Sequence, residues 1–381
     1  MVINKGITKN EKTEFTKRDT NIVKGFLIIM VMVHHLFYDT GTYENFDMTY
    51  LFLNQHQVLV FVQYFKFCIA AFAFLTYYGM TRKFMSIPDT EVAGKSTRIV
   101  LKQYIHLALS FLFVYILALI PAIATKRDLI TVYSVAEKPW VGYGVIDALG
   151  MADFFHTPTM NITWWYMSFA IVILFLFPLC YLAYQKLGLI LVAAIAFIPG
   201  ALLLDQTYYG MCGFSMVMGM VVAKTDLFAR IRAFGKGNIW VKLLKVVGCL
   251  FLFAVTYGVL FYGVSLPWYC AIASITWVYA CYEFLAPVKG LNSVLAFFGK
   301  NSLNIFLIHT LIYYYYATEW IYSFKVSFLI AFALIGTSLL GSVLIEGLKK
   351  ILHYEQAIRF IQNKVIYIYE IARGSEDDIS E

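Results

Sequence analysis

Charged side chains are scarce in this sequence. Only 14% of its 381 residues are Asp, Glu, Lys or Arg, whereas 61% are hydrophobic, and the mean hydropathy is +0.71. About a quarter of the residues of a soluble domain are charged. The hydrophobic residues also come in long blocks rather than at amphipathic spacing, so most of them must face lipid or other buried helices. The composition therefore excludes a soluble globular protein and predicts an all-α, polytopic membrane protein.

Several other signals are missing from the chain. The six cysteines all lie in apolar stretches and no two have metal-ligand spacing, so we expect no metal site. No small-residue cleavage site follows the first hydrophobic segment, and we expect that segment to stay in the mature protein. We find no Gly-x-Ser-x-Gly turn of a serine nucleophile and no repeat between the two halves of the chain.

Ten hydrophobic segments are long enough to cross a bilayer. They are residues 22–38, 57–80, 103–123, 161–184, 188–204, 208–224, 240–263, 266–286, 296–317 and 326–348. Lysines and arginines concentrate in alternate loops, which predicts that both termini are cytoplasmic. Lys126 and Arg127 are the one local exception. The net charge of +7 follows from this bias, so no nucleic-acid partner is expected.

Three regions are predicted on this basis. Residues 1–20 form a basic cytoplasmic tail, residues 21–350 form the membrane domain in the lipid bilayer, and residues 351–381 form a cytoplasmic amphipathic helix with an acidic tail.

The first segment, IVKGFLIIMVMVHHLF, carries three ionisable residues. Such residues are expensive in hydrocarbon, and each is a candidate functional residue. Lys24 and His35 are eleven residues apart, close to three helical turns, so their side chains project from almost the same face about 16 Å apart. His34 points about 100° away. Lys24 alone could be a snorkelling anchor and His35 an interfacial residue, but their pairing on one face favours a functional site.

A second basic group precedes the third segment. Arg98, Lys102 and His106 follow i, i+4, i+8 spacing and predict one basic stripe on a helix. The stripe has two interpretations: an ordinary positively charged inner loop, or an anion site, since guanidinium and ammonium groups suit phosphate.

Two further features have equally open interpretations. His309, in FFGKNSLNIFLIHT, is a lone histidine of a kind that more often packs than catalyses. Trp164, Trp165 and Tyr166 open a span, where aromatic residues usually anchor the helix at the interface. They could also form the rim of a glycan site, because aromatic faces suit sugar rings.

Together, these segments resemble the acyltransferase 3 family of integral membrane acyltransferases, which modify carbohydrates of the bacterial cell envelope. The first span of that family has a basic residue, ten intervening residues and a histidine, and KGFLIIMVMVHH matches with Lys24 and His35. The stretches FAFLTYYGM, TWWYMSFAIVILFLFP and FFGKNSLNIFLIHT follow in the family's order, so the resemblance covers roughly residues 20–350. The family usually has two arginines three apart at its third span, whereas this chain offers Lys95 with Arg98 or Arg98 with Lys102.

The resemblance implies transfer of an acyl group, expected to be acetyl, from acetyl-coenzyme A to a glycan or lipid-linked glycan at the cytoplasmic membrane. The donor would be a substrate rather than a tightly bound cofactor, and glycan-assembly proteins are candidate partners. His35 would be the base, or an acyl carrier, because imidazole titrates close to neutral pH. His34 and His309 would orient it or relay protons. Lys24, Arg98 and Lys102 would bind the donor.

The competing interpretation is a transporter or flippase for polysaccharide precursors. Such a protein would share the polytopic helical form, the buried titratable groups and the aromatic-rich outer loops.

Overall fold

The structure, a computed structural model, describes residues 14–88, 91–134, 140–202, 207–261 and 266–373. Within these ranges the chain is helical and forms no β-strand. In chain order the α-helices are α1 (Lys17–Tyr38), α2 (Gln55–Tyr64), α3 (Phe67–Phe84), α4 (Val92–Ala124), α5 (Leu129–Tyr133), α6 (Trp140–Ala148), α7 (Trp165–Leu187), α8 (Leu189–Ala201), α9 (Tyr208–Thr225), α10 (Leu227–Ala233), α11 (Ile239–Phe261), α12 (Leu266–Ala280), α13 (Leu291–Lys300), α14 (Ser302–Thr310), α15 (Thr318–Tyr322), α16 (Ser327–Ile351) and α17 (Tyr354–Arg373). The segments Cys281–Leu285 and Leu311–Tyr316 are π-helical.

Six helical stretches in the described part of the chain are long and apolar enough to cross a membrane: α1, α2 with α3, most of α4, α7 with the turn before it, α11 and α16. Two bent pairs, α9 with α10 at 59° and α13 with α14 and its π-helical extension at 68°, raise the number to eight. The prediction of an all-α, multi-pass membrane protein is confirmed.

The ten predicted segments fall on helices, but the structure supports six to eight spans. α8 has 13 residues and α12 has 15, fewer than a straight crossing needs. The count of ten and the sides of the termini stay predictions. Parts of the predicted segments (203–204 and 262–263), residues 1–13 of the basic tail and the acidic tail from residue 374 lie outside the described residues.

α1 runs through the core of the fold without a break. At its start, the Thr16 hydroxyl accepts a hydrogen bond from the Asp19 N–H while the Asp19 carboxylate accepts one from the Thr16 N–H. At its end, the buried Tyr43 and Tyr322 hydroxyls donate to two carbonyls of the last turn. Those carbonyls have no partner within the helix. Because both ends are held, the 22 residues of α1 keep one helical phase.

α13 crosses α1 in direct backbone contact. A Cβ atom added to Gly25 would lie 1.9 Å from the Leu295 carbonyl oxygen, and one added to Gly299 would lie 1.8 Å from that of Asn21. Only glycine permits such an approach. The crossing places the break between α13 and α14, and with it the start of α14, beside the first helix.

The segment between α4 and α7 folds around a buried carboxyl group. Asp147 is 1% exposed and accepts hydrogen bonds from the Tyr133 and Thr159 hydroxyls and from the Met160 N–H. Burial raises the pKa of Asp147, against the effect of these hydrogen bonds. The group fixes the chain immediately before α7.

Arg127 has a structural role in the same segment. Its Nη2 donates to the Met160 carbonyl at 2.8 Å, and its guanidinium lies 4.1 Å from the ring centre of Tyr315. The Tyr315 hydroxyl accepts from the Ile162 N–H. These contacts join the α4–α7 segment to the π-helical segment after α14, which accounts for an arginine where the charge pattern predicts none.

Candidate active site

His35 and His309 lie side by side where the last turns of α1 and α14 meet. Their ring centres are 5.2 Å apart. His309 is fully buried, whereas His35 is half-buried. Among the residues that the structure describes, none hydrogen-bonds to the His35 imidazole. The ring nitrogens of His35 are therefore available to a substrate, as a general base requires.

His34 faces a different helix. Its Nδ1 lies 2.6 Å from the Val62 carbonyl of α2, to which it donates, and its ring stacks on Tyr38 at 4.7 Å. The His34 and His35 ring centres are only 5.2 Å apart. However, His34 is hydrogen-bonded to the backbone of α2, whereas His35 lies beside α14. The structure thus separates the two histidines as helical phase predicts, while their roles stay predictions.

His309 belongs to a buried polar chain. Its Nδ1 lies 2.7 Å from the Phe306 carbonyl, and its Nε2 lies 3.2 Å from the Thr310 hydroxyl. The Thr310 hydroxyl is 3.0 Å from that of Thr163, which is 3.0 Å from Oδ1 of Asn161. Sequence reasoning missed these three residues. The Asn161-x-Thr163 triplet, which resembles a glycosylation site, was the available signal.

The three aromatic residues at the start of α7 have different surroundings. Trp164 is 3% exposed and donates from Nε1 to the Leu307 carbonyl at 3.0 Å, so it fastens α7 to α14. Trp165 is half-buried and stacks on Tyr208 at 3.9 Å. Tyr166, also half-buried, packs edge-on against a ring of α14. Of the three, only Trp165 and Tyr166 retain accessible surface.

Lys24 lies among other cations. It is half-buried, and its electrostatic neighbours are Lys17 and Lys83. Lys17 is seven residues before Lys24 on the same face of α1, and Lys83 comes from the end of α3, which packs against α1. No ion pair joins Lys24 to an acidic residue within the described ranges. Among the described residues, these three lysines make no ion pair with a carboxylate, so this part of the molecule favours an anion.

The face of α1 between Lys24 and His35 is closed. Ile28, on this face, is 0% exposed and Val31 is 7% exposed. A ligand held at Lys24 would therefore need a movement of the packed helices, or a route beside this face, to reach His35.

The basic stripe on α4 packs against α17. Arg98 pairs with Glu370 at 3.4 Å, and the Gln362 amide donates to the Lys102 carbonyl at 2.7 Å. Near the end of α17, Arg373 donates to the Gly94 carbonyl. The two helices therefore run antiparallel, and the structure places Arg98 and Lys102 against α17 rather than among the electrostatic neighbours of Lys24.

In the part of the chain that the structure describes, no three His, Cys, Asp or Glu side chains are grouped so that they could hold a metal ion. The arrangement instead offers imidazoles and hydroxyls, which move protons, and ammonium groups, which bind anions.

Comparison with known families decides the class of protein. The model of the acyltransferase domain family matches residues 18–347. The chain belongs to the acyltransferase 3 family. The resemblance carried by the Lys24–His35 motif is therefore confirmed, and the protein is a multi-pass membrane acyltransferase by family. No curated protein and no solved structure matches this acyltransferase 3 chain.

Proposed function

We propose that this protein transfers an acetyl group from acetyl-coenzyme A to a hydroxyl of a cell-envelope or extracellular glycan, or of its lipid-linked precursor, at the cell membrane. The observation that supports this most is the half-buried His35 beside His309, in the first span of an acyltransferase-family chain. Proteins of glycan assembly would supply or receive the acceptor.

The reaction needs a base for the hydroxyl, a place for the thioester and stabilisation of the oxyanion. His35 accepts the hydroxyl proton while the sugar oxygen bonds to the thioester carbonyl carbon. The C–S bond then breaks, and the coenzyme A thiolate takes the proton back from the His35 imidazolium. A variant of this route forms an acyl-histidine at His35 before the sugar attacks.

Coenzyme A is a polyanion, so its phosphates would bind cations. Lys24, with Lys17 and Lys83, is the first such site because the three have no carboxylate among them. Arg98 and Lys102 form the second, which becomes available when α17 releases Arg98 from Glu370. On the glycan side, Trp165 and Tyr166 would contact the sugar, and Trp164 would support them from beneath.

The test is transfer of radiolabel from acetyl-coenzyme A to envelope glycan by the purified protein in lipid nanodiscs. Wild type should label the glycan, His35→Ala should not, and Lys24→Ala should need more donor. Undiminished transfer by His35→Ala would disprove the base assignment. Failure of the wild type to bind the donor would disprove acetyl-coenzyme A as the acyl donor.

A transporter or flippase for polysaccharide precursors is the second candidate. The two bent helix pairs favour it, since discontinuous helices line the substrate sites of many transporters. Proteoliposomes loaded with a fluorescent lipid-linked glycan separate the two functions. Movement of the glycan across the bilayer without coenzyme A would support transport, whereas labelling without movement would support the enzyme.

A further inference from the structure

The polar chain that begins at His309 is buried along its whole length. His309, Thr310 and Asn161 are 0% exposed and Thr163 is 3% exposed. Three links join them: 3.2 Å from His309 Nε2 to the Thr310 hydroxyl, 3.0 Å from there to the Thr163 hydroxyl and 3.0 Å on to Asn161 Oδ1. Burying a polar group is costly unless its hydrogen bonds are made, so the number of hydrogens in the chain matters.

Backbone groups fix both ends of the chain. His309 Nδ1 faces carbonyl oxygens of its own helix, at 2.7 Å for Phe306, and must therefore carry a hydrogen. Asn161 Oδ1 accepts from the Thr163 N–H at 3.1 Å, and Asn161 Nδ2 donates to the Leu307 carbonyl. If the Asn161 side-chain amide were flipped, its Nδ2 would face the Thr163 N–H, another donor, and its Oδ1 would face the Leu307 carbonyl, another acceptor. The series of hydrogen-bonded side chains thus ends in an acceptor, Asn161 Oδ1. The only proton in this series that can be gained or lost is the one on His309 Nε2.

Counting hydrogens distinguishes the two protonation states of His309. With neutral His309, the Thr310 and Thr163 hydroxyls supply one hydrogen each, which is two hydrogens for three links. With a proton on Nε2, the imidazolium donates to Thr310, Thr310 donates to Thr163, and Thr163 donates to Asn161. Every link is then a hydrogen bond. All three links between the side chains are hydrogen bonds only when His309 is protonated.

We infer that His309 stores a proton during acyl transfer and that Thr310, Thr163 and Asn161 are positioning residues that stabilise its protonated form. This rests on the proposed function. The proton leaves the acceptor hydroxyl for His35 as the C–O bond forms, and it passes to His309 Nε2 while the Thr310 hydroxyl turns from Nε2 to Thr163, which donates to Asn161 throughout. It returns through His35 to the coenzyme A thiolate when the C–S bond breaks, so no proton is gained or lost.

Other groups around His309 in the described part of the chain do not supply a counter-charge. The titratable groups there that face it are His35 from α1 and Tyr313 from the π-helical segment. On α16, Glu346 accepts from Asn304, one helical turn or more away on α14, and also pairs with Lys349. A positive charge on His309 is therefore stabilised by the carbonyls that face Nδ1 and by hydrogen bonds along the hydroxyl chain at Nε2.

The experiment measures the protonation of His309 directly. Full-length protein with ¹⁵N-labelled histidine is placed in lipid nanodiscs, and the Nε2 signal of His309 is assigned by its loss in His309→Gln. Thr310→Val and Thr163→Val keep the side-chain shape but remove a hydroxyl. Loss of a hydrogen bond to a charged group should lower the equilibrium constant for protonation about tenfold. Thr310→Ser should restore it, and Thr337→Val, whose hydroxyl bonds only carbonyls of its own helix, should leave it unchanged.

Transfer rates measured on the same samples give the second result. We expect Thr310→Val to lower kcat with the KM for donor unchanged, and Thr310→Ser to recover kcat. If both valine variants fold and His309 protonation equals that of wild type, the inference is wrong. If protonation falls but kcat does not, His309 is not a proton store. Absence of transfer by the wild type would instead disprove the proposed function, and the NMR result would still decide whether the hydroxyl chain stabilises protonated His309.

Discussion

Two regions of this molecule carry the ionisable residues that a sequence would nominate for function, and they are built differently. Around His35 and His309, backbone carbonyls and buried hydroxyls surround the imidazoles. Along α4, Arg98 meets a carboxylate of the C-terminal helix. The first region leaves the His35 imidazole without a hydrogen-bond partner among the described residues, whereas the second region has its charge partly neutralised. Lying on one face of a helix is therefore not enough to make side chains functional. The groups on the helix packed against that face decide whether those side chains can bind a ligand.

The largest effect is expected where α1 and α13 touch. Gly299→Ala places a methyl group against the Asn21 carbonyl and should destabilise the fold by about 3 kcal/mol or more, because backbone cannot move aside cheaply. Thermal unfolding in detergent measures this. Gly336→Ala is the matched control, since a Cβ there meets nothing within 4 Å. Equal melting temperatures for the two variants would contradict the backbone contact between α1 and α13.

The α4–α7 segment, which carries Asn161 and Thr163, gives a pH test. Burial raises the pKa of Asp147, so its contribution to stability is present below its unfolded pKa of about 3.9 and is lost as pH rises through the higher folded value. Compared with Asp147→Asn, wild type should lose relative stability as the pH rises above about 3.9. Hydrogen bonds from Thr131 and its N–H lower the pKa of exposed Asp128, so wild type should instead lose stability relative to Asp128→Asn as the pH falls below about 3.9. The same slope for both would contradict this assignment.

The two basic groups can be compared through donor binding. Lys24→Ala should raise the KM for acetyl-coenzyme A about tenfold, the value of one charge-assisted hydrogen bond. Arg98→Ala should raise it less, because Glu370 already engages Arg98. Initial rates at varied donor concentration measure both. A larger effect from Arg98→Ala would make the α4 stripe the principal donor site.

The smallest expected effect comes from freeing Arg98. Glu370→Gln removes the carboxylate of an ion pair that is partly exposed, so the KM for donor should fall by about two- to fourfold. Glu355→Gln, beside His106 at 3.9 Å, is the control and should change the KM little. An unchanged KM in Glu370→Gln would show that Arg98 does not contact the donor.

Composition and helical phase were enough to predict the membrane class, the continuous first helix and the different directions of His34 and His35. These follow from local chemistry, which the sequence displays directly. The proximity of His35 and His309 needs the glycine crossing of α1 and α13, which links residues about 275 positions apart in chain order. No pattern of residue spacing in the sequence predicts a contact between residues so far apart in the chain.

The packing of α17 against α4 could not be predicted from the sequence either. The sequence of α17 predicts an amphipathic helix, as observed, but an apolar stripe does not show which helix it packs against. Ile358 and Ile366 are buried while Glu370 reaches Arg98. The hydroxyl chain from Thr310 to Asn161 was unpredictable for a related reason, since Thr and Asn in apolar segments usually bond their own helix.

The most direct test compares His35→Gln with His34→Gln in one assay of acetyl transfer, with both variants shown to fold by their melting temperatures. We predict that His35→Gln lowers kcat by about 10²-fold or more, the contribution of a general base, and that His34→Gln retains most of the activity. Equal losses, or a greater loss from His34→Gln, would contradict the assignment of His35 as the base.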